Sequence, residues 1–129
     1  MPNITPEMIE SWFWWHPKED IRYQVWYPNS YLGTGCTKND TDYFLQPERP
    51  SFQPNTQYLY ERISGIKMPL RIDFTTLEAF GFSKKDMLEN DIPLIVFGHV
   101  GAYKGLIIHT EMAHIFKKTD EGLLLISRF

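Results

Sequence analysis

Residues 92–118 read IPLIVFGHVGAYKGLIIHTEMAHIFKK, and the assignment of this stretch decides the fold. Leu94 to Phe97 form a continuous apolar run after Pro93, the pattern of a strand buried on both faces. Gly101, Tyr103 and Gly105 predict a turn, and Leu106-Ile107-Ile108 predict the start of a partner strand. Thr110 then has the place of a helix N-cap. Glu111 follows in the first turn and Lys117-Lys118 in the last, charges that suit the helix dipole. Met112, Ile115 and Phe116 supply an apolar face for that helix. Gly122 predicts its stop, and Leu123 to Phe129 read as a final apolar strand.

Upstream, residues 57–63 and 66–74 read as two strands around Ser64-Gly65, a hairpin turn. Pro69 argues for an edge position or a bulge in the second. Thr75 with Glu78, and Ser83 with Asp86, have capping-box spacing, so two short helices follow, broken by Gly81. At the N-terminus, Thr5 caps a helix over 6–15. Pro6 takes its first position, and Ile4 and Ile9 are spaced as a staple. Pro17 ends it. Residues 21–27 alternate Ile21, Tyr23, Val25, Tyr27 against Arg22, Gln24, Trp26, which predicts a strand. Residues 29–55 are an irregular segment with Gly33, Gly35, Pro47, Pro50 and Pro54. Its apolar residues (Tyr31, Leu32, Tyr43, Phe44, Leu45, Phe52) predict that it packs on the body, with a short strand at 42–46.

These elements predict a single α+β domain over 1–129 with a mixed sheet of five or six strands. An N-terminal helix precedes the sheet, and the order from residue 66 is β-α-β-β-α-β. That order resembles a ferredoxin-like split unit. The order of the whole chain also resembles the core of restriction-endonuclease-type nucleases. Element order alone carries no function.

Composition excludes several classes. The 129 residues carry one Cys, which rules out an internal disulfide framework or a multi-Cys zinc site. The net charge is -3. Residues 1–64, with five Lys/Arg and eight Asp/Glu, account for all of it, which argues against general nucleic-acid binding. No apolar run approaches the roughly 18 residues of a membrane span. Met1-Pro2-Asn3-Ile4 has no secretory pattern. The expected compartment is the cytoplasm, or the host cytoplasm for a virus-encoded protein.

Three constellations could carry chemistry. His99, His109, Glu111 and His114 could gather around a metal, although His109 and His114 are five apart rather than the four that zinc ligands favour on a helix. Asp73, Glu61 and a histidine, His109, could serve a small hydrolase or a degenerate nuclease-like phosphodiesterase; Glu78 and Asp91 could join the carboxylates around magnesium. The Glu-x-Lys expected after the Asp of such a nuclease is missing, since Thr75, Thr76 and Leu77 follow Asp73. Cys36, in Gly33-Thr34-Gly35-Cys36, is a candidate thiol without a supporting signature.

The aromatic content, 16% with nine Phe, seven Tyr and four Trp, is the strongest signal. Trp12, Phe13, Trp14 and Trp15 are consecutive on the first helix. Residues about 100° apart cannot all face one core. Trp14 or Trp15 must therefore pack under the 29–55 segment, enter a pocket or meet a partner. The leading expectation is a non-enzymatic binding protein without a cofactor. Its surface would hold Trp14, Trp15, Trp26, Tyr31 and Tyr43, with Arg22 or Arg49 fixing an anionic group. A protein partner or small ligand is expected, and a homodimer through the aromatic face would also explain exposed rings. The competing reading is a small second core beneath the loop.

Overall fold

The computed structural model describes residues 1–103 and 106–129; Gly105, expected in a turn, lies outside them. Six strands form one antiparallel sheet in sequential order: β1 (Tyr31–Cys36), β2 (Asn55–Ile63), β3 (Ile66–Thr75), β4 (Leu94–Ala102), β5 (Ile107–Thr119) and β6 (Gly122–Arg128). Among the described residues four α-helices accompany it: α1 (Pro6–Trp15), α2 (Asp20–Trp26), α3 (Thr41–Phe44) and α4 (Lys84–Glu89). The α+β class and the strand number agree with the sequence reading. The sheet is antiparallel rather than mixed, because no connection crosses over to bring two strands in parallel.

The stretch that decides the fold departs from expectation in its second half. Residues 110–118 are the middle of β5, not a helix, so the C-terminal order is β-α-β-β-β. β5 pairs with β4 from Leu94↔Phe116 to Ala102↔Ile107, and with β6 from Ala113↔Arg128 to Thr119↔Gly122. Met112 and Phe116 are four apart and satisfy either period. As a strand they share a face with His114, and both are buried. Two hydrogen-bonded ladders outweigh a cap and dipole charges worth up to about 1 kcal/mol each. Gly122, expected as a helix stop, instead follows the β5–β6 turn at φ 146°. A Cβ there would lie 2.5 Å from the Met1 carbonyl oxygen, so only glycine admits the N-terminal segment.

Residues 21–26 lie in α2 rather than in a strand, and Tyr27 follows as its C-cap. Only Tyr23 of this segment is buried. Asp20 accepts from the Thr34 backbone N–H at 2.7 Å, and the Gln24 amide donates to the Leu32 carbonyl at 2.8 Å, tying α2 to β1. Gly33 allows this, since a Cβ there would meet Asp20 Oδ1 at 3.1 Å. The expected strand at 42–46 is the single turn α3, and β1 lies inside the segment read as irregular. Pro69 is tolerated because pairing of β3 with β4 begins one residue later, at Leu70↔Ala102.

The helix-covered face of the sheet carries Leu59, Leu70, Ile72, Phe74, Ala102 and Met112, which pack with Tyr23 of α2 and Phe13 of α1. Ile9 of α1 reaches Phe116 and Leu123 beyond. On the opposite face Phe80 and Phe82 lie on Phe97, at 4.6 and 5.5 Å between rings, and Phe80 also stacks on His99 at 5.2 Å.

Candidate functional site

Helix α1 positions the site. Thr5 accepts from the Met8 N–H and Pro6 opens the first turn, so the helix starts as the sequence predicts. Ile9, Phe13 and His16 recur at four and three residues and face the sheet. Phe13 meets Phe74 edge-on at 5.6 Å, and His16 is 3% exposed. The remaining aromatics are divided between the two flanks of the helix.

One flank is closed. Trp12 stacks on His16 at 4.8 Å and meets Trp26 at 4.9 Å; His16 stacks on Tyr23 at 5.2 Å, and Tyr23 on Tyr31 at 4.4 Å. The Tyr23 hydroxyl donates to Glu61. Burial, then the Glu61 charge, pushes the Tyr23 phenol far up; burial raises Glu61 too, partly offset by the tyrosine's hydrogen bond. Trp15 lies at the rim, with the Arg22 guanidinium 4.7 Å above its ring.

His16 has one committed ring nitrogen. Its Nδ1 is 2.8 Å from the Trp12 carbonyl oxygen, which can only accept, so Nδ1 carries the proton and Nε2 keeps a lone pair. Burial pulls its pKa down to about 4, against the hydrogen bond to the Trp12 carbonyl, which favours the cation. At neutral pH the imidazole is therefore uncharged. Among the described residues, no group of three or more His, Cys, Asp or Glu is placed to hold a metal ion.

The other flank is open. A cavity of about 600 Å³ lies between α1, the segment that carries α3, and the 75–97 region. Trp14, Tyr43, Phe52 and Phe74 give it aromatic walls; Glu10 and Arg49 form an ion pair of 3.1 Å in its lining. The Trp14 indole N–H donates to the Tyr43 carbonyl at 3.0 Å, and Lys18 Nζ sits 3.2 Å from the ring centre. Asn55 and Gln57, 7% and 1% exposed, are the buried polar groups of the lining. Gln57 donates to the Phe13 carbonyl at 3.3 Å and to Asn55 Oδ1 at 3.2 Å, and its buried Oε1 has no hydrogen-bond partner among the described residues.

Of the residues expected to bind, Trp14, Tyr43 and Arg49 line this cavity. Trp15, Trp26, Tyr31 and Arg22 belong to the opposite flank. Asp73 and Glu61 are separated by the sheet: Asp73 is bound by Arg71 and Thr56 on one face, and Glu61 holds Tyr23 on the other. His109 pairs with Gly101 on β5. In the other histidine group, His99 and Glu111 are cross-strand neighbours, whereas His114 shares a hydrogen bond with Ser127 and packs near Phe13. The Cys36 thiol is pushed up by burial, the opposite of activation. His16 and Gln57 were not singled out in sequence. The available signals were His16 continuing the Ile9–Phe13 face, and Gln57 sharing the parity of Leu59 on β2.

A family model described as the DAPG hydrolase PhiG domain matches residues 1–129. The 2,4-diacetylphloroglucinol hydrolase of Pseudomonas protegens is 31% identical over 137 residues, covering 99% of this chain and 42% of that protein. A 2,4-diacetylphloroglucinol hydrolase of Pseudomonas sp is also 31% identical, with 44% of its length covered. Phloretin hydrolase of Eubacterium ramulus is 26% identical over 133 residues, covering 100% of this chain and 46% of that protein. The chain thus spans less than half the length of these relatives. The matches overturn the expectation of a non-enzymatic binding protein. They favour the other reading, a small hydrolase.

Proposed function

The chain belongs to the DAPG hydrolase PhiG domain family, and from that premise we propose that it supplies the ring-binding part of a hydrolase acting on phenolic aryl ketones. The compound 2,4-diacetylphloroglucinol is a trihydroxylated ring with two acetyl groups attached through carbon. It has no ester or amide to cleave. Its hydrolysis must add water to a ketone carbon and break the bond from that carbon to the ring. The bonding pair passes to the ring carbon, which takes a proton; the products are acetic acid and the ring bearing one acetyl group.

One observation carries this reading: the cavity beside Trp14 has the volume, aromatic walls and few buried polar groups of a small-molecule site. A flat phenolic ring fits between Trp14, Tyr43 and Phe52 by stacking. Asn55 and Gln57 offer hydrogen bonds from the buried side. We place the protein in the cytoplasm; no described helix is long and apolar enough to cross a membrane.

The test is to incubate the protein with 2,4-diacetylphloroglucinol and follow both Trp fluorescence and acetate release. Saturable quenching and release of acetate are expected. Acetate released from phenyl acetate but not from the ketone would make the protein an esterase. No response to either compound would remove the reading.

A further inference from the structure

We propose that Arg49, oriented by Glu10, is the specificity residue that selects substrates whose phenolic oxygen is ionised. This inference rests on the reading of the cavity as the ring site.

The arginines expected to fix an anion are distinguished by position. Arg22 is occupied outside the cavity: it binds Glu19 at 3.0 Å and the Trp15 carbonyl at 3.4 Å, and covers the Trp15 ring. Arg49 lines the cavity, and its Nη1 meets Glu10 Oε2 at 3.1 Å. A guanidinium has five N–H donors in a fixed fork. The one contact to Glu10 holds the fork and leaves other donors for a ligand. The pair is partly shielded, with side-chain exposures of 29% for Arg49 and 37% for Glu10, beside the apolar surfaces of Trp14, Tyr43 and Phe52. Shielding from water strengthens a charge-assisted hydrogen bond.

The cavity wall already contains a phenol that feels this charge. Burial pushes the Tyr43 hydroxyl up in pKa; a backbone hydrogen bond at Gln53 and then the Arg49 charge draw it back, while the Glu10 charge opposes Arg49. An acyl group para to a phenolic hydroxyl spreads the anion onto the ketone oxygen, so such phenols ionise more readily than the tyrosine value of about 10. A phenolic aryl ketone therefore brings an anionic oxygen to the place where Arg49 can receive it. Its neutral ether cannot. Ionisation also raises electron density at the ring carbon that must take a proton when the acyl group leaves. The other titratable groups of the lining are Glu10, Tyr43, Glu78 and Lys84. Lys84 is the competing cation of the lining, and Lys18, on the Trp14 ring, is a second beside it.

The experiment titrates the protein calorimetrically with 2,4,6-trihydroxyacetophenone and with 2,4,6-trimethoxyacetophenone at about pH 8. The wild type is expected to prefer the hydroxylated ketone by at least about tenfold, with a preference that falls as the phenol is protonated at lower pH. Arg49→Gln is expected to bind both ketones with similar affinity. Arg49→Lys keeps the charge without the fork and retains part of the preference; it decides the matter if Arg49→Gln does not fold. Lys84→Gln is expected to keep the full preference. Equal binding of the two ketones by the wild type, a preference that survives in both Arg49 variants, or a preference lost in Lys84→Gln would overturn the assignment to Arg49 while leaving the ring site standing. Binding of neither ketone would remove the ring site and this inference together.

Discussion

On one flank of α1, Trp12, His16, Tyr23 and Tyr31 stack at 4.4 to 5.2 Å and enclose a neutral histidine. On the other, Trp14, Tyr43 and Phe52 stand around an open cavity of about 600 Å³. The residue types are the same and the roles differ. Rings in mutual contact contribute stability; rings that leave a face uncovered contribute a surface for another ring. A five-residue run, Trp12 to His16, serves both because successive residues on a helix point in different directions.

The largest expected effect tests the closed flank. Tyr23→Ala should lower the unfolding free energy by about 3 to 5 kcal/mol, since Tyr23 is 5% exposed and loses two stacking partners. Trp14→Ala should lose about half as much, both read by urea titration, because Trp14 lines the open cavity. Equal losses would erase the distinction between the flanks.

The next effect concerns His16. Its folded pKa, about 4, lies below the ordinary 6.5, so the unfolded chain binds more protons between those values. The His16 contribution is complete above pH 6.5 and falls away as pH drops toward 4. About 3 kcal/mol is at stake over that window. His114, also lowered by burial, acts in the same direction, and Glu61, raised by burial, acts against it. The measurement is therefore the difference in unfolding free energy between wild type and His16→Gln from pH 7 to pH 4. A difference independent of pH would mean that His16 is not held neutral.

The smallest effect is on the rim. Arg22→Ala should change stability by less than about 1 kcal/mol, because its pair with Glu19 is exposed, and should leave ketone affinity unchanged. A loss of affinity there would move the binding surface to the wrong flank.

Much of the fold could be read in the sequence where local signals and tertiary pairing agree. Thr5-Pro6 starts α1, Ser83 with Asp86 caps α4, and Ser64-Gly65 turns the β2–β3 hairpin. The reading failed where a local signal was outweighed. Thr110, Glu111 and Lys117-Lys118 resemble a helix, but β4 and β6 claim that segment from both sides. Residues 21–27 alternate like a strand yet pair with no strand of the sheet; side-chain tethers to β1 accompany the helix α2 that forms there instead. For the site, a helix wheel is enough to separate Trp14 from Trp12. It does not show that Tyr43 and Arg49, about thirty residues on, return to Trp14, because that depends on how an irregular segment folds back. His16 escaped notice because a single histidine after a run of aromatics has no spacing partner.

The most direct test of the two-flank account is calorimetric titration of Trp14→Ala and Trp15→Ala with 2,4,6-trihydroxyacetophenone. The account predicts that Trp14→Ala weakens binding by at least about tenfold, one lost ring stack, while Trp15→Ala binds as the wild type does. Unchanged affinity in Trp14→Ala together with loss in Trp15→Ala would contradict it.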